Sequence, residues 1–322
     1  MTVTAVSSEA LSMSSHDEAL KTTEEVALQI HIHCQVWVGT VANIILFVHN
    51  FSPVLTGIQM KPTQTILSHM AVANAFILLI TVSPNNMMDF ASRTLLTDLR
   101  CKLEYFLRLM ARSLNMCSTS VLSSYQFVTL VPGNRGRVML RGRVPNLVSY
   151  SCYSCWLFSV VNNVYIPMKV TGPQKTGNDT VSRNKFVCSN SSFSIGVIFL
   201  RFAHDATFIS IMAWTSVSMV CLLHRHYRQM HHVLTPIQDH RVHAETRAAH
   251  TILMLVVTFV SFYILNFICI IFHSLLMDSR LWLRHVSEVL AVSFPTISPF
   301  LLMLRDPKDP CSVLFTIEIQ SL

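Results

Sequence analysis

The sequence predicts an all-α membrane protein, a seven-transmembrane helix bundle with its N-terminus outside, and three observations predict it. Seven apolar stretches, at roughly 27–49, 65–88, 103–130, 146–168, 194–223, 250–276 and 284–304, each come near the length needed to cross a bilayer. A hydrocarbon core about 30 Å thick needs about 20 apolar residues at a rise of about 1.5 Å each. The composition agrees: 51% of residues are hydrophobic and 13% are charged, where a soluble domain carries about 25% charged. The third observation is the loop at 169–193, which carries the marks of an oxidising lumen. Lipid offers no hydrogen-bond partners, so the apolar stretches must be helices, which satisfy their backbone internally.

Taken in order, residues 1–26 are polar and acidic, with Glu9, Asp17, Glu18, Glu24 and Glu25 against Lys21. They lack the basic start and apolar core of a cleaved signal peptide, and their composition suits a disordered extracellular tail. The transmembrane domain covers 27–304. Its second stretch carries Pro84, and its third follows Cys101 and carries Glu104, Arg108 and Arg112. Ser118-Thr119-Ser120 and Ser123-Ser124 offer hydroxyls for bonds between helices. The fourth contains Cys152-Tyr153-Ser154-Cys155, a redox-like spacing without the strand pattern of a thioredoxin fold. Cys34, Cys117, Cys152, Cys155, Cys221 and Cys269 all read as small packing residues. The fifth carries Arg201, His204 and Asp205, and the seventh Pro295 and Pro299. Proline inside a span removes a backbone bond and creates a kink that can pivot. Residues 305–322 form a short cytoplasmic tail.

Loop charge does not settle orientation, because Lys and Arg divide almost evenly between the two sides. The loop at 169–193 does. It carries the sequons Asn178-Asp179-Thr180 and Asn190-Ser191-Ser192, which are modified only on the lumenal side. It also carries Cys188, on the same side as Cys101. A Cys101–Cys188 disulfide would tie the loop to the third helix; two free thiols and chance sequons are the alternative. A further sequon at Asn50 would then face the cytosol and stay unused. The net charge of +7 sits in short loops beside membrane ends, where anionic headgroups are the partner rather than nucleic acid.

A charge inside a span is costly and marks a functional site. Glu104, Arg108 and Arg112 are spaced four apart and so share one helical face. With Arg201, His204 and Asp205 they lie in the outer halves of their helices and would converge on a pocket for a small ligand. The competing reading is structural, an ion pair such as Arg112 with Asp205. Catalysis finds no support: there is no phosphate-binding glycine loop, no nucleophile elbow and no zinc-protease helix. The cytosolic histidines, among them His224, His226, His231 and His232, fall in one loop interleaved with arginine. That suits a docking or headgroup-facing surface better than the converging ligands of an iron site. No cofactor is expected. A transporter using the intramembrane charges is the alternative function, although no similarity between halves supports it.

Specific strings narrow the class. Gly39-Thr40 and Asn43, Leu67-Ser68-His69 and Ala73-Asn74, Cys101-Lys102-Leu103 and Ala111-Arg112 come first. Cys152-x-x-Cys155-Trp156 and Val170-Thr171-Gly172-Pro173 follow. Glu245-Thr246-Arg247-Ala248 leads into Thr258-Phe259-Val260-Ser261-Phe262-Tyr263, and Phe294-Pro295-Thr296 with Ser298-Pro299-Phe300 and Arg305-Asp306-Pro307 close the series. In these, over about 28–308, the chain resembles the vomeronasal type-1 receptor family. The third span lacks the Asp-Arg-Tyr end and the seventh the Asn-Pro-x-x-Tyr of ordinary rhodopsin-like receptors. The resemblance implies a multi-pass receptor of the plasma membrane that binds a pheromone or small odorant between its helices. It also implies coupling to an inhibitory-class heterotrimeric G protein in vomeronasal neurons. Tyr263 joins Glu104, Arg108, Arg112, His204 and Asp205 as candidate ligand residues. The chain departs from the family in carrying Glu104 where an apolar residue is usual, and Arg108-Leu109 in place of a His-Arg pair.

Overall fold

The structure is a computed structural model that describes residues 2–82, 94–131, 144–171, 189–190, 195–230, 236–275 and 281–303. Seven long helices account for most of them: α1 Thr2–Leu55, α2 Pro62–Val82, α3 Thr94–Leu130, α4 Val144–Asn163, α5 Ile195–Met230, α6 Pro236–Leu275 and α7 Leu281–Met303. A helical turn, Ile166–Lys169, leads into β1 (Val170–Thr171), which pairs antiparallel with β2 (Ser189–Asn190), Val170 opposite Asn190 and Thr171 opposite Ser189.

Local chemistry sets several helix ends. At the end of α1, Gly57 adopts φ 71°, a left-handed conformation that costs a residue without Cβ nothing. The Ile58 N–H donates to the Pro53 carbonyl at 2.8 Å and the Gly57 N–H to Val54 at 3.2 Å, the paired bonds that close a Schellman turn. At the start of α2, Pro62 occupies the first helical position, where a missing N–H is harmless. Gln64 accepts the Lys61 N–H at 2.9 Å, half of a capping box.

α1 begins at Thr2, so the backbone is helical where the composition pointed to a disordered tail. Ala, Leu and Glu recur between Thr2 and Glu25, and once a helix is nucleated, extending it needs only one bond per residue.

Among the described residues five helices are long and apolar enough to cross a membrane, over Val26–Leu55, Pro62–Thr81, Phe199–Arg225, Ala249–Cys269 and Val286–Met303. α3 and α4 are not among them, which narrows the seven-span expectation to a helical membrane bundle. The reason for α3 is its position. It packs against α2, α4, α5 and α6, and Ser113, Asn115, Ser118, Thr119, Ser120, Ser123 and Gln126 are all buried. A helix wrapped by other helices has no need of a lipid-facing surface. α4 is diluted instead by Tyr150, Tyr153 and several serines.

The outward faces carry Trp37, Tyr150, Phe199 and Val217, with Trp214 as much as 73% exposed. Apolar surface on this scale would drive aggregation in water and belongs against lipid. The core joins Met70, Met116, Leu122, Met212, Ile252, Leu255 and Phe294 from several helices.

Two close approaches knit the bundle. Gly39 of α1 faces α7 so tightly that a Cβ there would lie 2.6 Å from Thr296 Oγ1 and 2.9 Å from Leu78 Cδ1. Small residues at such crossings let backbones meet, which is how membrane helices pack without a hydrophobic drive between them. Beside it, Asn43 Nδ2 donates to the Gly39 and Pro295 carbonyls, each at 2.8 Å. Pro299 has no N–H to offer the carbonyl four residues back, which is that of Pro295. Asn43 supplies the missing bond from the neighbouring helix.

The cysteines correct one expectation. Cys117 of α3 and Cys155 of α4, read from sequence as packing residues, are joined in a disulfide with Cα atoms 5.7 Å apart. Cys34, Cys152, Cys221 and Cys269 are free.

Candidate ligand site

α3 carries Arg108, Arg112 and Asn115 at positions four and then three apart, a spacing that places them on one face. That face lines a cavity of about 250 Å³. α6 contributes Phe259, Phe262, Tyr263 and Asn266, α7 contributes Glu288, Ala291, Phe294 and Pro295, and Ile77 of α2 closes one side. The walls are thus apolar and aromatic with a few polar groups, the usual make-up of a small-molecule site.

Three of the residues expected from sequence come together here: Arg108, Arg112 and Tyr263. Arg112 places its guanidinium carbon 4.7 Å from the centroid of the Tyr263 ring, a cation–π contact. Tyr263 in turn donates its hydroxyl to Asp205 Oδ2. Tyr263 therefore stands between Arg112 and Asp205, where the structural reading of the sequence had a direct ion pair.

His204 and Asp205 lie behind the cavity wall. His204 Nδ1 donates to Asp205 Oδ1 at 2.8 Å, because an ionised carboxylate can only accept, and its Nε2 shares a hydrogen bond with the Ser113 hydroxyl at 3.0 Å. The ring stacks on Phe158 at 5.3 Å. One continuous chain of contacts, Ser113–His204–Asp205–Tyr263–Arg112, therefore links α3, α5 and α6 directly behind the cavity. Glu104, one turn before Arg108 on α3, is outside the cavity lining. Closer still to the N-terminus of α3, the half-exposed Lys102 pairs with Asp98 at 2.7 Å.

A second network lies at the cavity floor, and the sequence reading did not assign it a role. Asn115 Nδ2 donates to Asn74 Oδ1 at 2.8 Å. Asn74 Nδ2 donates to Asn43 Oδ1 at 3.1 Å and to Ser298 Oγ at 2.9 Å. All four residues are buried. The signal was present: four amide or hydroxyl side chains in spans, where each demands a partner.

Towards the N-terminal end of α3, Cys101 packs with Ile166 and Val170 and is disulfide-bonded. Cys188 and Asn178 lie outside the described residues; Asn190 is in β2. Asn50 is 4% exposed and its amide donates to the Leu46 carbonyl at 2.7 Å.

Comparison with known proteins bears on the same regions. The model of the vomeronasal organ pheromone receptor family matches residues 26–310. Vomeronasal type-1 receptor 4 of Homo sapiens is 33% identical over 278 residues, which cover 85% of this chain and 92% of that protein. Vomeronasal type-1 receptor 2 of Homo sapiens is 30% identical over 308 residues, 94% of this chain and 77% of that one. Olfactory receptor class A-like protein 1 of Danio rerio is 26% identical over 281 residues, 85% of this chain and 87% of its own. The match takes in every helix that lines the cavity, and the chain belongs to the vomeronasal organ pheromone receptor family.

Proposed function

We propose that this chemosensory, G-protein-coupled receptor binds a small pheromone or odorant in the cavity between α3, α6 and α7. It signals from the plasma membrane to a heterotrimeric G protein of the inhibitory class. One observation carries the reading: Arg112 lines the cavity and at the same time touches Tyr263, whose hydroxyl holds Asp205 of α5. A ligand group that takes Arg112 changes what Tyr263 packs on, so it prefers one arrangement of α3, α5 and α6 over another. Differential contact of this kind is what shifts a population of helix arrangements. The inner ends of α5 and α6, rich in His and Arg, report the shift to the G protein.

All seven long helices span the membrane, α3 and α4 included, with the N-terminus outside and residues 305–322 in the cytosol. Support comes from the outer end. Cys101 is disulfide-bonded and shares a buried cluster with Val170, whose strand pairs with the one that starts at Ser189. Cys188 precedes that strand by one residue, so it is the partner we assign to Cys101. Asn178 and Asn190 then carry glycans on the outer face.

Receptors, not carriers or enzymes, bear the names of the relatives, and the transporter alternative is left without support. Calcium imaging of cells that express the chain with a promiscuous G protein, during application of fractionated animal secretions, tests the reading. A dose-dependent response is expected, and surface-expressed receptor silent to every fraction would count against it.

A further inference from the structure

The donor–acceptor direction of the floor network can be worked out from its far end. Carbonyl oxygens only accept, so the two carbonyls at Asn43, those of Gly39 and Pro295, fix its Nδ2 toward them. Asn43 Oδ1 must then accept from Asn74 Nδ2, and Asn74 Oδ1 from Asn115 Nδ2. The free end of the chain is therefore an acceptor, Asn115 Oδ1. It is buried and has no hydrogen-bond partner among the described residues. Asn115 is 2% exposed and lines the ligand cavity. A bare buried acceptor is costly, and the cost is recovered when a donor reaches it.

On the same helical face lie Arg112 and Arg108, about 4.5 Å and about 10.5 Å further along the axis at about 1.5 Å per residue. Resting on the receptor reading above, we propose that the cavity takes a compact anion that also carries a hydrogen-bond donor at its other end. Arg108 and Arg112, which outnumber the carboxylate of Glu288 in the lining, hold the acid, the rings of Phe259 and Phe294 enclose the apolar body, and a ligand hydroxyl or N–H donates to Asn115 Oδ1. Through Asn74 and Asn43 that donor is joined to the Pro295 carbonyl, so occupancy of the floor bears directly on the segment of α7 that holds Pro295 and Pro299. A cavity of about 250 Å³ lies just below the usual range, about 300–1,000 Å³, and keeps the body short.

The test uses purified full-length receptor in lipid nanodiscs and ω-hydroxy acids of about four to eight carbons, lengths chosen to match the helical separation. Each is compared with its unhydroxylated acid and with its hydroxy amide. The best hydroxy acid is expected to bind about tenfold or more tighter than its unhydroxylated partner and its amide, as for a buried acceptor left unpaired. Asn115→Leu should abolish the hydroxyl preference while retaining the unhydroxylated acid. Asn115→Gln keeps both amide roles but advances the acceptor by one methylene, so the preferred acid should shorten by about one carbon.

Equal binding of hydroxylated and plain acids by the wild type, with loss of both in Arg112→Ala, overturns the donor subsite and leaves the receptor reading intact. That result would mean a buried water answers Asn115. Failure of every acid to bind a receptor that still responds to secretion fractions overturns the anion-plus-donor class alone. Failure of binding and of every cellular response overturns both.

Discussion

Arg112 meets two demands at once, since a half-buried guanidinium needs a partner and a ligand site needs a fixed charge. Its partner is Tyr263, through the ring face at 4.7 Å and a side-chain hydrogen bond; a guanidinium carries five N–H donors, so the fork can still meet an acid or carbonyl group. Arg112→Ala should therefore raise the half-maximal ligand concentration about tenfold or more, the loss expected of a charge-assisted bond. Lys102→Ala, half-exposed and paired with Asp98, should stay within about threefold, since exposed pairs contribute about 0–1 kcal/mol. Dose–response curves at matched surface expression check both, and an unchanged Arg112→Ala curve would confine that residue to structure. Tyr263→Phe keeps the ring under Arg112 but removes the donor to Asp205. Asp205 is then free to pair with Arg112 and compete with an anionic ligand, so potency should fall about tenfold with expression unchanged. The four-residue spacing of Arg108 and Arg112 was legible in the sequence. That Glu104, His204 and Asp205 would not line the cavity was not, because a helical wheel gives relative angles within one helix and says nothing of which neighbour each angle faces.

At the scale of elements, glycine and asparagine decide how closely α1, α2 and α7 approach. Gly39→Ala puts a methyl 2.6 Å from Thr296 Oγ1 and 3.0 Å from the Thr296 Cα. Thr296 Oγ1 can rotate but the backbone cannot, so α1 must move. A cost of about 1–3 kcal/mol is expected, read as a fall in the thermal midpoint of purified receptor. Asn74→Ala removes donors to Asn43 and Ser298 and an acceptor for Asn115. Because buried partners are left unsatisfied, it should cost about 2–3 kcal/mol and reduce surface expression. The strings Gly39-Thr40, Ala73-Asn74 and Pro295-Thr296 stood out in the sequence as marks of a family; only in three dimensions do they become one contact. The covalent ties extend this logic. Peptide mapping without reduction should yield two linked pairs, Cys117 with Cys155 and Cys101 with Cys188. On chain-entropy grounds a loop closed at a sequence separation of 38 between Cys117 and Cys155 restrains the unfolded chain by about 3–4 kcal/mol. A free Cys155 thiol in that map would remove the α3–α4 tie.

At the scale of the whole molecule, orientation is a prediction with a direct readout. Glycosidase treatment should collapse a size shift that survives Asn50→Gln and disappears when Asn178 and Asn190 are both replaced; a glycan on Asn50 would mean the opposite topology. Membrane class, helix count and a charged face on α3 were readable from sequence, because each is a local sum over consecutive residues: apolar length and charge spacing. The fate of α3 and α4 shows the limit of such sums. Hydropathy measures affinity for lipid, and α3 is apolar only where it must be, since its neighbours are other helices. The tertiary structure alone decided that Arg108, Arg112, Asn115 and Tyr263 share a cavity, that Asn43 completes a proline-broken turn in α7, and that Cys117 meets Cys155. Asn43 and Pro295 lie 252 residues apart, and no periodicity reaches that far. Their meeting depends on how seven helices rotate and tilt to bury their polar groups against one another, and packing settles that for all of them together.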